Sequence, residues 1–447
     1  MVENKQAHII VVPFLVQGHI NPMLQFSKRL AFKGIKPTLA TTKYTFKSMH
    51  TSTTQAQNDP SIQIRPISDG YDDGGYMQAD SAVAYFDSLR NYGRKTLAQL
   101  IKNLEEEGDP VNAVIYDGLL PWAFDVAKQF RLVGALFLTQ SCSISSVYYH
   151  VQCGLIQLPL LGPGPSTVLV PGVPELQPSE APSFVYKYGS YPFWLDIYLE
   201  QFSCIDQVDW VLCNSFYKME EEVVDWMTKK WKVKTIGPTV PSYYLDKRLK
   251  DDKDYDMHLL KPNTTLCKNW LDTKPKDSVV YVSSGSTSDN QHFLWVVRES
   301  ESNKLPKGFV QDTLEQGLVV GWAFQLEVLA HEATGCFVTH CGFNSILEAL
   351  SLGVAMVGVP QWTDQGTNAK FVEDVWGVGV RAKVDEKDVV RRDELEECIK
   401  EIVMEGEKRE EIMKNVAKWK KLAKEAIDEG GSSDNNIDEF VSYLMKC

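Results

Sequence analysis

The sequence lacks an excess of positive charge, a paired-cysteine motif and any apolar run of membrane length. Each absence excludes a class of function. Lys and Arg number 46 against 59 Asp and Glu, for a formal net charge of −13. A general nucleic-acid or anionic-membrane binder needs a basic footprint, so neither nucleic acid nor membrane insertion is expected. The nine cysteines are scattered, odd in number and include no C-x-x-C pair. That pattern argues against a disulfide framework and for reduced thiols in a cytoplasmic protein. The apolar stretch at 9–16 is too short to span a bilayer and carries no signal-cleavage pattern. The chain also has no short-period repeat and no glycine-rich dinucleotide fingerprint; the turn after its first predicted strand holds a lone glycine, Gly18. With 447 residues, 44% hydrophobic and 23% charged, it has material for two domain cores.

What is present is a β/α rhythm. Short β-branched runs at 8–14, 36–41, 111–116 and 132–138 alternate with amphipathic stretches, the first at 21–33. This alternation predicts a parallel sheet covered on both faces. Residues 155–192 are rich in Pro, Gly and aromatics and read as a long surface excursion of the kind that carries binding loops. Strand character returns at 208–213 and 233–236. The Pro-containing stretch 237–241 and the charged run 246–256 then mark a linker. A second series follows, with strands predicted at 278–283, 293–297, 318–321, 335–339 and 355–359 and helices at 325–331, 345–352 and 366–375. Ile412, Val416, Trp419, Ala423 and Ile427 recur at helical spacing over 408–429, and a last helix follows Gly430-Gly431-Ser432-Ser433. The organisation expected is a domain over 1–240, a linker over 241–262, a second domain over 263–430 and a terminal helix over 431–447. Two Rossmann-like domains in one chain suggest a cleft between them.

One connection is short. Seven residues separate Gly285 from Phe293, whereas successive parallel strands need a crossover of about a dozen or more. Either the two runs form a hairpin or a segment is absent from this chain.

Three constellations carry chemistry. The first is Gln17-Gly18-His19-Ile20-Asn21-Pro22, the loop at the carboxyl end of the first strand, where ligands bind in open α/β sheets. His19 is titratable near neutral pH and suits general-base work, or it merely caps the helix. The second is Asp117, at the end of another strand of the same sheet. It can fix the tautomer of His19, or cap the helix beginning near Leu120. The third spans 322–365. There His340-Cys341-Gly342-Phe343-Asn344-Ser345 closes a strand and opens a helix whose free N–H groups suit an anion. Glu348, one turn on, suits sugar hydroxyls, and Trp322 suits a planar base. A zinc reading of His331, Cys336, His340 and Cys341 matches no standard spacing, and cysteines on an apolar strand are usually core.

Residues 322–365 resemble the donor-binding box of plant family-1 UDP-glycosyltransferases. Trp322, Gln325, His331, His340-Cys341-Gly342, Asn344-Ser345, Glu348, Gly353, Pro360 and Asp364-Gln365 all match, in register. Gln17–Pro22, Tyr116-Asp117, Ile236-Gly237-Pro238-Thr239 and Trp270-Leu271-Asp272 resemble further family landmarks, so the likeness covers nearly the whole chain. Ile67-Ser68-Asp69-Gly70, Tyr244-Leu245-Asp246-Lys247-Arg248 and Glu429–Ser433 are similar to subfamily 74.

The resemblance implies an α/β GT-B fold, two Rossmann-like domains with parallel sheets facing across a cleft. The N-terminal one would take the acceptor, the C-terminal one the UDP-sugar, and the last helix would cross back. It implies His19 as general base with Asp117 as its partner. Trp322 would stack on uracil beside Ala323, with Gln325 and Glu348 near the ribose. His340, Gly342, Asn344, Ser345 and Ser286 would face the diphosphate, and Asp364 and Gln365 the sugar hydroxyls, with Trp362 and Thr139 nearby. A terminal Gln in the box resembles users of glucose. The implied reaction is inverting glucosyl transfer from UDP-glucose to a small hydrophobic acceptor, by a monomer with no metal and no cofactor. Phe343 for Trp, Ala323 for Cys, Phe324 for Pro and Ala355 for Pro depart from the family pattern. Candidate acceptor-lining residues are Phe14, Tyr76, Met77, Trp122, Tyr148, Tyr149, Phe184 and Phe193, which favour an apolar aglycone, with a lean toward terpenoids or steroids. The competing readings are a non-catalytic UDP-sugar-binding protein and, from the Rossmann rhythm alone, a nicotinamide-dependent oxidoreductase.

Overall fold

His8-Ile9-Ile10-Val11-Val12 is buried along its whole length, as a parallel strand covered on both faces must be. The same holds for Ala113–Asp117 and Val133–Leu138. The computed structural model describes residues 6–51, 61–160, 167–255, 264–283 and 291–447. Its strands are β1 (His8–Val12), β2 (Lys36–Thr42), β3 (Gln63–Ile67), β4 (Ala113–Asp117), β5 (Val133–Leu138), β6 (Val168–Val170), β7 (Val173–Leu176), β8 (Trp210–Cys213) and β9 (Val233–Thr235). They are followed by β10 (Val279–Val282), β11 (His292–Val296), β12 (Gly317–Val320), β13 (Thr334–Thr339), β14 (Ala355–Gly358) and β15 (Gly379–Arg381).

The chain divides into two units, one of Met1–Glu175, Lys187–His258 and Ala426–Cys447, the other of Leu176–Tyr186 and Leu259–Glu425. In the first, seven parallel strands lie in the order β3-β2-β1-β4-β5-β8-β9. In the second, six parallel strands lie in the order β12-β11-β10-β13-β14-β15. Both sheets reverse their winding between the first strand and the fourth, at β1/β4 and at β10/β13. Such a switch point opens a crevice at the carboxyl ends of the strands, which is where ligands bind in this class of fold.

Where sequence and structure differ, packing decides. β10 and β11 are parallel neighbours, Val279 opposite His292 and Val282 opposite Trp295, so the hairpin alternative for the short connection falls. Nine residues, 283–291, join them. The segment 155–192 is not wholly a surface excursion. It holds the two-stranded sheet β6-β7 and a stretch, 176–186, built into the second unit, where Phe184 and Val185 are fully buried. The 25-residue helix Ala82–Glu106, capped by the Ser81 hydroxyl accepting from the Ala84 N–H, is longer than any helix the periodicity indicated. Among the described residues no helix is long and apolar enough to cross a membrane.

The charged run 246–252 is the sharpest departure. The carboxylates of Asp246 and Asp252 are buried in the first unit against the helix Gln17–Phe32, while Asp251 is exposed. Asp246 takes a forked pair from Arg29, 2.9 and 3.2 Å, and a third contact from Arg248 at 2.8 Å. Asp252 accepts from Lys28 at 2.8 Å and from the Ser242 N–H at 2.6 Å. Arg248 reaches on to Asp434 at 2.7 Å, in the helix Ser432–Leu444, which Lys33 also contacts at 2.8 Å. Phe440 of that helix packs edge-on against Trp210 of β8. Burial alone would raise the Asp246 carboxyl, but Arg29, Ser242 and Arg248 hold it far below the usual carboxylate range. A carboxylate so depressed stabilises the fold above its unfolded pKa, near 4, and the contribution is lost as pH falls. Asp246→Asn should therefore cost about 3–5 kcal/mol at pH 7, the cost of breaking a buried pair. By urea unfolding the loss should shrink by about 1 kcal/mol at pH 3. An equal loss at both pH values would contradict this account.

Candidate active site

The register Ile9↔Ala113 to Val12↔Tyr116 sets the ends of β1 and β4 side by side. β1 runs into the helix Gln17–Phe32, whose first turn carries His19, and β4 ends on Asp117. The two side chains meet: His19 Nδ1 lies 2.7 Å from Asp117 Oδ2. Thr139, the first residue after β5, approaches the same nitrogen at 3.2 Å. Asp117 is buried, and its other oxygen accepts the Leu119 N–H at 2.9 Å. Asp117 does not cap the following helix, which begins at Trp122 behind Pro121 with no side-chain cap; one of its oxygens holds the turn before that helix and the other meets His19. A carboxylate accepts and does not donate, so Nδ1 carries the proton and Nε2 keeps its lone pair.

The surroundings of His19 are aromatic. Phe14 meets the imidazole edge-on, with ring centroids 5.5 Å apart. Phe86 lies 5.2 Å behind Phe14, and Phe193 and Trp194 follow at 5.6 and 5.8 Å. A cavity of about 470 Å³ opens beside Phe86, lined also by Phe193, Ile197, Asp196 and the Arg90–Glu200 ion pair. Phe86 had no motif to mark it; its position on an amphipathic helix, where most aromatics are core, gave no signal. Of the aromatics read as acceptor-lining, Trp122 and Tyr148 are buried core and Phe184 belongs to the core of the second unit. Met77 is exposed, and Tyr149 packs among Trp226 and Trp231.

The second unit gathers its own cluster around β13 and the helix Phe343–Leu352. Gly342 is the N-cap of this helix, which has no side-chain cap. Glycine is required there, because a Cβ at Gly342 would lie 2.6 Å from His340 Nε2. Cys341, buried, has φ +63°, and its carbonyl is held by Asn368 Nδ2 at 3.0 Å. Asn368 donates also to Asp364 Oδ2 at 2.8 Å, tying this turn to the end of the box. Sequence reasoning passed over Asn368; its spacing of four from Asp364 was the available signal. Asn344, Ser345 and Glu348 follow Gly342 on the same helix. Gln325, first in the helix Gln325–Ala330, donates to Ser345 Oγ at 2.9 Å and to Glu348 Oε2 at 2.8 Å. Trp322 is half-buried and Ala323 buried in the loop just before.

At the far end, Gln365 is buried and its carbonyl oxygen accepts the N–H groups of Gln361 (2.9 Å) and Trp362 (3.1 Å). The other end of the group is its amide NH₂, a donor. Asp364 accepts from the Thr363 hydroxyl at 2.8 Å, and Trp362, largely exposed, meets Phe184 edge-on at 5.6 Å. Ser286 lies outside the described residues. The nine cysteines are all free, and among the described residues no group of three or more His, Cys, Asp or Glu side chains is arranged to hold a metal ion.

Comparison with known proteins agrees with this arrangement. A family model, UDP-glucoronosyl and UDP-glucosyl transferase, matches residues 271–425. UDP-glycosyltransferase 74E2 of Arabidopsis thaliana is 46% identical over 98% of this chain and 99% of its own length. Mogroside I-E synthase of Siraitia grosvenorii is 46% identical over 99% of this chain and its full length. The crystal structure of Os79 from O. sativa in complex with UDP superposes with a TM-score of 0.89, at 37% identity, over 98% of this chain and all of that one. The chain therefore belongs to the plant UDP-glycosyltransferases. It is an enzyme of that class with the GT-B fold, and members of subfamily 74 are among its relatives. The alignment with 74E2 runs over 455 positions, more than the 447 residues of this chain, so the relative carries residues that this chain lacks.

Burial lowers the His340 pKa from its ordinary value, with Arg298 acting the same way and Asp364 opposing. His340 is therefore neutral at pH 7 and can act as a hydrogen-bonding partner rather than a fixed cation. An NMR titration should find it deprotonating below 6.5, and lower still in Asp364→Asn. A rise in that variant would contradict the assignment.

Proposed function

We propose that the enzyme transfers glucose with inversion from UDP-glucose to a hydroxyl, or a carboxyl, of a small hydrophobic metabolite. The first unit takes the acceptor and the second the UDP-sugar. The observation that carries this reading is the 2.7 Å contact of His19 Nδ1 with Asp117 Oδ2, which leaves Nε2 as a base. In the step proposed, the acceptor oxygen attacks the anomeric carbon and its proton passes to His19 Nε2. The bond from that carbon to the diphosphate oxygen breaks, and UDP leaves. The uncapped start of the helix Phe343–Leu352, with His340, Asn344, Ser345 and Ser286, bears the charge on the leaving group. Trp322 stacks on uracil beside Ala323, and the Gln325–Glu348 pair takes the ribose. Asp364 accepts from the sugar hydroxyls and Gln365 donates to them, with Trp362 and Thr139 nearby. The enzyme works as a monomer in the cytoplasm, with no metal and no cofactor beyond its donor substrate.

The acceptor is read as a bulky terpenoid or steroid. Support comes from the aromatic wall of Phe14, Phe86 and Phe193, from the mogroside I-E synthase among the relatives, and from the Os79 structure with a trichothecene bound. Relatives named as a flavonol 7-O-beta-glucosyltransferase and a crocetin glucosyltransferase widen the panel to be tried. The nine-residue connection 283–291 favours one competing reading, a UDP-sugar-binding protein without turnover.

Mass spectrometry of mixtures of enzyme, UDP-glucose and a panel of terpenoids, steroids and phenolics separates the two. A gain of one hexose on any acceptor is the expected result; bound UDP with no product on any of them would establish the competing reading. His19→Ala should lower kcat by about 10²–10⁴-fold, the usual worth of a general base, with UDP affinity nearly unchanged. Full activity in that variant on a poorly acidic alcohol would remove His19 from the mechanism.

A further inference from the structure

Thr363 is strained. Its φ is +58°, a left-handed conformation that a β-branched residue adopts only when its surroundings force it. The force comes from Ser183. The Ser183 N–H donates to the Thr363 carbonyl at 2.7 Å, and the Thr363 N–H donates to Ser183 Oγ at 2.7 Å. Both peptide groups of the strained residue are gripped by one partner, 180 positions earlier in sequence and within the same folded unit.

The grip completes a pattern. The N–H groups of residues 361 and 362 are taken by the Gln365 carbonyl oxygen, and the next, that of Thr363, by Ser183. Three consecutive N–H groups are thus satisfied by two side chains. That fixes Gln365 with its NH₂ outward and leaves Asp364 between the Thr363 hydroxyl and Asn368. The segment carrying Ser183 is itself anchored. Glu180 is buried against Lys370 at 3.1 Å and Arg381 at 3.2 Å. Its carbonyl accepts from the Thr367 hydroxyl at 2.6 Å, in the helix Gln365–Lys370. Phe184 closes the far side against Trp362.

We propose that Ser183 is a positioning residue for glycosyl transfer. It holds Thr363 left-handed and so sets the orientation of Asp364 and Gln365, fixing which sugar hydroxyl arrangement the turn accepts. This rests on the reading of that turn as the sugar site. Freed of Ser183, Thr363 can relax toward ordinary backbone angles, and Asp364 and Gln365 turn with it. The residues read as nucleotide-binding lie on other helices, Gln325–Ala330 and Phe343–Leu352, and the contacts of Gln325 with Ser345 and Glu348 involve neither Ser183 nor Thr363.

The test compares UDP-glucose kinetics with UDP binding in Ser183→Ala, Ser183→Thr and Gln365→Ala. Ser183→Ala should raise KM for UDP-glucose about tenfold, the worth of one lost hydrogen bond, while the Kd for UDP stays within about twofold. Ser183→Thr keeps the hydroxyl and should stay near wild type. An unchanged KM in Ser183→Ala or a parallel loss of UDP affinity would each overturn the proposal. Gln365→Ala with unchanged UDP-glucose KM would instead overturn the sugar reading of the turn. Gln365→Ala impaired beside an unaffected Ser183→Ala would overturn the role of Ser183 alone.

Discussion

The hydrogen bond between His19 Nδ1 and Asp117 Oδ2 depends on two strands, 98 residues apart in their functional ends, arriving side by side. That adjacency is a property of the parallel sheet. The chain winds outward from β1 to β2 and β3, then returns to place β4 on the other side of β1. The loops after β1 and β4 therefore leave the sheet in opposite directions and open a crevice between them. Any residue at those two strand ends would meet there. There a histidine meets a buried carboxylate, and Thr139, at the end of the next strand, approaches the same imidazole nitrogen. The helix that bears His19 in its first turn is held at its C-terminal end by the ion pairs of Lys28 and Arg29 and, just beyond it, of Lys33.

The second unit repeats the topology and uses it for different chemistry. At its switch point stands a turn, His340-Cys341-Gly342, whose last residue lies so close to His340 that a Cβ there would meet the imidazole at 2.6 Å. The helix that follows, Phe343–Leu352, starts without a side-chain cap. Around it, side chains with two functions are committed on one side so that the other side is defined. Gln365 spends its carbonyl on the backbone and keeps its amide hydrogens. Gln325 spends hydrogens on Ser345 and Glu348. Such commitment fixes orientation before any ligand arrives, which is how a site selects among sugars that differ only in the direction of one hydroxyl.

Much of this was legible in the sequence, for a physical reason. Doubly buried parallel strands read as continuous apolar runs, so β1, β4, β5, β13 and β14 declared themselves, and with them the strand ends where His19, Asp117 and His340 sit. The box from Trp322 to Gln365 was legible because most of its geometry is local, contained in two short helices and two strands and ending where a third helix begins. What stayed hidden was non-local. Ser183 and Glu180 lie in a Pro-rich stretch without periodicity, and nothing in their spacing says that they pack 180 residues away. Asp246, Arg248 and Asp252 read as a solvated linker because charge normally marks surface; their burial is possible only because Arg29, Lys28 and Asp434 arrive from elsewhere. Phe86 was one aromatic among many on amphipathic helices. The short 283–291 connection was legible as an anomaly, and the parallel pairing of β10 with β11 decided between its two explanations.

The central claim is a single displacement assisted by His19, and the anomeric configuration of the product tests it most directly. Proton NMR of glucoside formed from UDP-α-glucose, recorded before any equilibration, reads the configuration at the transferred carbon. One displacement predicts the β-anomer alone. The α-anomer would contradict the account, since retention requires either two displacements or attack from the face of the departing diphosphate, and in neither is one base at His19 sufficient.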